Sequence, residues 1–170
     1  AVPFKARSYR NGIVRFRQAP EAGTVHTILE IGIDDYTRGL AVVPESWAPA
    51  TLQAQAVVSR SNGLWHALDR GGENTFDLSR REECSCNLYD GIPDQVFQGY
   101  TGELRHPNWV AAVNATAQQV MGSGGTVVLG EFSSSSGGWT EDYSDVFGGT
   151  AYPYLASVND SAAFSDSAAN

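Results

Sequence analysis

The chain has 170 residues, 42% of them hydrophobic and 18% charged, which fits one ordinary domain, or one with a small lobe, and excludes collagen-like, coiled-coil and wholly disordered chains. No apolar run approaches the roughly 18 to 20 residues of a membrane-spanning helix; the best, Gly39 to Val43, is five long, so a soluble protein is expected. Nineteen acidic against eleven basic residues give a formal charge of −8 and a pI near 4.7, the wrong sign for a nucleic-acid binder that neutralises phosphates.

Ala1 to Ile33 reads as strand-rich, because Ile13 to Arg17 and Val25 to Ile33 are dense in β-branched residues and Pro20 and Gly23 interrupt them. Residues 1 to 20 also carry five basic side chains (Lys5, Arg7, Arg10, Arg15, Arg17) and no acid, whereas His106 to Asn170 hold six acids and no Lys or Arg. A basic strip of this kind is either a contact for an anionic surface such as a cell-wall polymer or a solvated strand face. The chain starts at Ala1 rather than Met, which fits a processed or truncated secreted form.

Asp34-Asp35-Tyr36 and Glu45-Ser46-Trp47 precede a helix. Carboxylates there either answer the helix dipole or, among apolar neighbours such as Val43, Pro44 and Trp47, supply a general acid. The helix itself is signalled by Pro49 at a first-turn position and by Leu52, Ala56, Val57, Arg60, Leu64 and Leu68 at spacings of three and four, until Gly71 and Gly72 stop it. Gly71 to Gly102 is polar and irregular and reads as a long loop with short helical pieces. It contains Cys84 and Cys86, one residue apart; free thiols, half a metal site and a tight disulfide ring all remain open.

A second helix is expected from Asn108 to Met121, with Asn108 as cap and Trp109, Val113, Ala117 and Val120 on one face. Thr126 to Ser135 reads as a strand or hairpin between Gly-rich turns, and the tail from Ser161 is small and polar. The run Ser133-Ser134-Ser135-Ser136-Gly137-Gly138-Trp139-Thr140-Glu141 stands out: hydroxyls and bare backbone suit a ligand covered in hydroxyl groups. Its bland reading is a flexible linker. Trp139, Tyr143, Phe147, Tyr152 and Tyr154 follow it, and rings interleaved with hydroxyls can stack on sugar faces while bonding their edges. His26, His66 and His106 form no zinc-hydrolase pattern, and G-x-S-x-G is absent.

Together these residues resemble a known family. Asp35-Tyr36-Thr37-Arg38-Gly39-Leu40-Ala41, Val43-Pro44, Trp47 and Leu52-Gln53-Ala54-Gln55-Ala56-Val57-Val58-Ser59-Arg60 are similar to the D-Y-L-x-G, V-P-x-x-W-P, A-L-K-A-Q-A-V-A-A-R block of the SpoIID/LytB family. Cys84 to Asp90, Gln95-Val96-Phe97, Gly99-Tyr100, Trp109 to Val120, Phe132 to Glu141, Asp145 to Gly149 and Pro153 to Val158 look like its remaining blocks, in order. The resemblance implies an extracytoplasmic domain acting on bacterial peptidoglycan. Active members are lytic transglycosylases, in which one glutamate first protonates the glycosidic oxygen and then, as a base, lets the sugar's own 6-hydroxyl attack. Other members enhance a partner amidase.

One departure matters. The catalytic glutamate of this subtype stands five residues before the tryptophan, in G-L-A-E-V-P-x-x-W, and that position here is Val42. The nearest carboxylate, Glu45, is the candidate displaced acid. Arg60 and Gln55 match polar residues that look toward the family's groove, with Arg60 a candidate holder of a muramyl or peptide carboxylate. Trp47, Tyr89, Gln95, Tyr100, Ser134, Ser135, Gly137, Gly138, Thr140 and Glu141 match the other sugar-facing positions. Some members hold zinc near the Cys84 block, but Asn87 stands where a histidine often follows, so no metal and no cofactor are expected; a disulfide is favoured in an oxidising compartment.

The expected architecture is α+β: two main helices on antiparallel strands and hairpins, with a long irregular Cys-containing loop. Its parts are a basic strand-rich segment (1–33), a SpoIID/LytB-like domain (34–160) and a flexible tail (161–170). The expected function is binding of peptidoglycan glycan strands, degenerate in catalysis. The alternatives are an active transglycosylase cleaving the MurNAc-GlcNAc bond through Glu45, and an amidase enhancer or structural cell-wall protein.

Overall fold

In the computed structural model the residues described are 7–18, 23–70, 84, 86–133 and 135–161. The chain forms two compact units, Ala1–Glu131 and Phe132–Asn170. The architecture is mixed α+β, as the sequence predicts, with helices and small antiparallel sheets.

The first unit opens with a hairpin of β1 (Ile13–Gln18) and β2 (Val25–Glu30), paired antiparallel from Ile13↔Glu30 to Gln18↔Val25. The β-branched run does not continue to Ile33 as expected: Ile33 instead begins a short helix, α1 (Ile33–Arg38). Its single turn places Ile33, Tyr36, Thr37 and Leu40 on the core side, and Thr37 Oγ1 donates back to Ile33 O at 2.7 Å. A helix of six residues offers too little periodicity to be read from sequence. At Gly39 the Phe97 ring crosses so closely that an added Cβ would stand 2.3 Å from Cε2. Only glycine fits there.

The long helix α2 (Pro49–Asp69) begins at the expected proline and ends just before Gly71, which lies outside the described residues. Leu52 and Ala56 are fully buried, and from Ser59 to Gly63 every residue is buried. A helix enclosed on several sides is not simply amphipathic, and the enclosing partner is α4 (Pro107–Ala115). Trp109, Leu40, Leu52 and Val113 lie at or near zero exposure, each contributing about 1.5–3 kcal/mol of apolar burial. Trp109 Nε1 satisfies its donor on Thr37 O at 3.0 Å, which ties α4 to α1.

Of the expected loop, residues 71–83 and 85 lie outside the described residues; residues 86–99 are irregular and lead into α3 (Tyr100–Arg105). Their order comes from two aspartates. Asp90 accepts from Phe97 N at 2.9 Å and from Arg7 Nη1, while Asp94 accepts from Tyr89 N at 2.7 Å and from Arg70 Nη1 at 2.6 Å. Cys84 and Cys86 form a disulfide with Cα atoms 5.2 Å apart.

Two details of α4 correct the sequence reading. The cap is His106, which offers no side-chain bond, and Pro107 is the first helical residue, so Asn108 stands inside the first turn rather than at the cap. The helix also stops at Ala115 rather than Met121: Thr116 Oγ1 turns back onto Ala112 O at 2.9 Å, and Gln118 adopts φ +63°. The expected strand from Thr126 is short, two residues in β4 (Thr126–Val127) against β3 (Gly122–Ser123). Gly124 and Gly125 make that turn at φ +58° and +82°, values that a two-residue hairpin with its natural twist demands.

The second unit contains a short helix α5 (Tyr143–Phe147), a 3₁₀ turn at Pro153–Leu155, and an antiparallel bridge between Trp139 and Asn159. Asp160 N donates to Gly138 O at 2.8 Å and Thr140 N to Val158 O at 3.0 Å, closing the unit on itself.

Candidate functional site

The turn between α1 and α2 holds Val42, the position at which the sequence resemblance leads one to expect an acid. Ala41 is held at φ +47°, a left-handed conformation that costs an alanine roughly 1–2 kcal/mol. It is itself buried, and the partly buried side chains of Val42 and Val43 pack against the same core. Pro44 O accepts from Trp47 N at 3.2 Å, and the Trp47 ring is left 41% exposed.

Glu45 performs a definite structural task. Its Oε1 accepts from Asn108 N at 2.5 Å and its Oε2 from Trp109 N at 3.2 Å, with Asn108 Nδ2 returning to Glu45 O at 3.3 Å. These are otherwise orphaned first-turn amides of α4, so Glu45 caps that helix from 63 residues away. The other acids around the turn are engaged as well. Asp35 accepts from Asn11 Nδ2 at 2.7 Å and from Arg38 Nη2, and Asp34 accepts from Arg60.

Arg60 has no exposed surface. Its Nε donates to Asp34 Oδ1 at 2.7 Å, Nη1 to Gln119 O at 2.9 Å and Nη2 to Val113 O at 3.1 Å. Gln118 N also reaches Asp34 Oδ1, at 3.4 Å. The guanidinium fork therefore holds α1, α2 and the carbonyl end of α4 in one knot, and it explains why α4 ends where it does.

Gln55 Nε2 donates to Ser59 Oγ at 3.1 Å on the half-buried side of α2. Gln95 is 5% exposed; its Nε2 donates to Ser59 O at 3.1 Å and Asn62 Oδ1 at 3.2 Å. Near it lies Tyr36, whose hydroxyl is buried, like Gln95 Oε1, without a well-formed hydrogen bond. Burial pushes the Tyr36 phenol upward and the charge of Asp94 adds to this, while the Gln95 amide offsets a part. Tyr89 and Tyr100 are half-buried; Tyr100 lies under the Arg10 guanidinium, 4.5 Å from its ring centre.

In the second unit the Ser/Gly run braces its own turn. Ser135 Oγ accepts from Gly137 N at 3.3 Å; Ser136 Oγ accepts from Gly138 N at 3.2 Å and donates to Asp160 Oδ2 at 2.9 Å. Gly137 and Gly138 both have positive φ. Thr140 is tied by its hydroxyl to Val158 N at 2.9 Å, and Glu141 is exposed. Ser134 lies outside the described residues. Glu45, Trp47, Gln55, Arg60, Tyr89, Gln95 and Tyr100 belong to the first unit, while Ser135, Gly137, Gly138, Thr140 and Glu141 belong to the second. Among the described residues no group of three or more His, Cys, Asp or Glu is arranged to hold a metal ion.

Residues 21–122, from before β2 to beyond α4, match the family described as stage II sporulation protein, SpoIID. The chain belongs to the SpoIID family. An uncharacterized protein of Brachyspira hyodysenteriae is 30% identical over 145 residues, covering 82% of this chain and 35% of that protein. The chain thus spans about a third of that relative's length. The family match takes in the strained turn, Arg60 and the aspartate-ordered loop of this SpoIID domain and ends before its second unit. No described helix is long and apolar enough to cross a membrane.

Three features escape a reading of the sequence alone. The left-handed Ala41 carries no glycine to signal it. The Glu45 cap joins segments distant in sequence. Glu131, on an otherwise exposed residue, has its carboxyl partly enclosed by protein, which raises its proton affinity through desolvation.

Proposed function

We propose that this SpoIID domain is an extracytoplasmic module that binds the glycan strands of peptidoglycan without cleaving them. The observation that carries the reading is the state of the carboxylates around the Trp47 turn. Val42 stands where the sequence resemblance leads one to expect an acid, and Glu45 spends both oxygens on the first-turn amides of α4. Asp34 and Asp35 are bound by Arg60, Arg38 and Asn11.

A transglycosylase needs a carboxyl group within hydrogen-bond reach of the glycosidic oxygen, first to give a proton and then to take one. A carboxylate shifted three residues along the turn and committed to a helix end is displaced by several ångströms, enough to lose most of the benefit of positioning. What remains at this turn is suited to binding: an exposed indole for the flat face of a sugar ring, with the amide of Gln55 and the phenols of Tyr89 and Tyr100 as hydrogen-bonding groups elsewhere on the same unit.

Co-sedimentation with insoluble peptidoglycan tests the reading. The wild-type chain should be retained, and Trp47→Ala should weaken retention at least about tenfold, the loss of roughly 1.4 kcal/mol. Failure of the wild-type chain to sediment would remove the proposal. In a second arm, Val42→Glu should introduce cleavage where the wild type has none, because it returns a proton carrier to the site without disturbing the Glu45 cap.

A further inference from the structure

A disulfide staples a fold by joining segments far apart in the chain, because the stabilisation it gives by shrinking the unfolded ensemble grows with the loop it closes. Cys84 and Cys86 have a sequence separation of 2, with only Ser85 between them. For a ring of about three residues the effect shifts the folding equilibrium roughly fifteenfold, against more than about a thousandfold for a loop of about a hundred. As a staple this bond is weak.

The chain beyond it is held by other means. Asn87 O, one residue past the ring, accepts from Nη1 of Arg70, the C-cap residue of α2, at 3.1 Å. Leu88 packs against the core, while Tyr89 N and Phe97 N donate to Asp94 Oδ2 at 2.7 Å and Asp90 Oδ1 at 2.9 Å. Opening the S–S bond breaks none of these contacts. Linkage makes the relation reciprocal: a bond that adds little to the fold is little protected by the fold. Its thiol–disulfide balance therefore stays near that of an unfolded C-x-C segment, open to exchange.

We propose that Cys84–Cys86 is a reversible thiol–disulfide exchange centre whose substrates are thiols. Cys84 is 7% exposed and Cys86 only half-buried, so the incoming thiolate attacks Cys86 Sγ. The S–S bond breaks, its electron pair leaves on Cys84 Sγ, which takes up a proton, and Cys86 carries the mixed disulfide. A second thiolate then attacks the substrate sulfur of that mixed disulfide and releases Cys86 as a thiolate. One protein disulfide and two thiols become one protein dithiol and one substrate disulfide, a two-electron exchange that runs in either direction. The inference is independent of the glycan-binding reading.

The test equilibrates the whole chain with reduced and oxidised glutathione at graded ratios, quenches in acid, alkylates the free thiols and counts them by intact mass. The disulfide should pass through half-reduction within the glutathione range, which structural disulfides resist. In urea the oxidation constant should fall no more than about fifteenfold below its folded value. The reduced chain should keep its far-UV circular dichroism and melt no more than about 6 °C early. Cys84→Ser, which leaves Cys86 as the only thiol, should form a mixed disulfide with oxidised glutathione at least about tenfold faster than Cys86→Ser. A wild-type disulfide that stays closed across the whole glutathione range overturns the proposal. So does a folded-state constant above the stated limit, or a chain that unfolds on reduction. Equal or reversed rates in the two serine variants overturn Cys86 as the attacked sulfur.

Discussion

Replacing Arg60 by methionine keeps the length of the side chain and deletes the fork. Three hydrogen bonds are lost, to Asp34 Oδ1, Gln119 O and Val113 O, all from a side chain without solvent exposure. Asp34 can rehydrate, since its side chain is 26% exposed; the Val113 carbonyl, whose bond to Arg60 is buried, cannot, and keeps only the longer bonds from Thr116 N at 3.3 Å and Thr116 Oγ1 at 3.4 Å. Breaking a buried charged pair from one side costs about 3–5 kcal/mol. For a chain of this size each kcal/mol lowers the melting midpoint by about 2–4 °C, so Arg60→Met should melt roughly 6–20 °C early. The half-exposed Arg38–Asp35 pair is the control: Arg38→Met should cost no more than about 1 kcal/mol. Thermal and urea unfolding followed by circular dichroism give both numbers. Peptidoglycan retention per folded molecule should be unchanged in Arg60→Met. A variant of wild-type stability that no longer binds would refute this assignment and return Arg60 to the ligand.

Glu45→Gln keeps the side chain's shape but weakens its grip on the α4 amides, and should destabilise by about 1 kcal/mol, the ordinary worth of a helix cap, in urea unfolding. Tyr36→Phe removes a buried hydroxyl that has no good partner, so its stability should stay within about 0.5 kcal/mol of wild type or rise; a loss above 2 kcal/mol would reveal a hidden bond. Glu131 has its folded-state proton affinity raised by burial. The native state then holds the proton more tightly than the unfolded chain, so stability falls as pH rises from the ordinary glutamate range through the raised value. Glu131→Gln should flatten that decline in pH-dependent thermal melts, and an unchanged slope would exclude Glu131 as its source.

The long helix was legible because its signals are local: Pro49 at the start and apolar residues at three- and four-residue spacing over twenty-one positions. The hairpin strands were legible for the same reason, in β-branched composition. What the sequence hides is cooperation across distance. The end of α4 is set by Arg60, more than fifty residues earlier, and its start is capped by Glu45, so neither boundary is written in the helix's own residues. Arg60 and Gln55 carry the same polarity on paper, yet one is enclosed and the other half-buried, because only the packing of α4 decides which side of α2 is covered. The serines of the Ser/Gly run illustrate a further limit. Hydroxyls beside glycine suit either a ligand or a turn, and Ser135 and Ser136 bond the turn's own amides.

The most direct measurement is the chemistry of glycan ends. Purified peptidoglycan, with and without its stem peptides, is incubated with the wild-type chain, and the soluble and insoluble fractions are analysed for anhydro-muramyl termini by mass spectrometry. With Val42 in the turn between α1 and α2 and Glu45 bound to α4, the chain should be retained on the polymer and no new anhydro ends should form. Anhydro ends produced by the wild type and lost in Glu45→Gln would contradict this account.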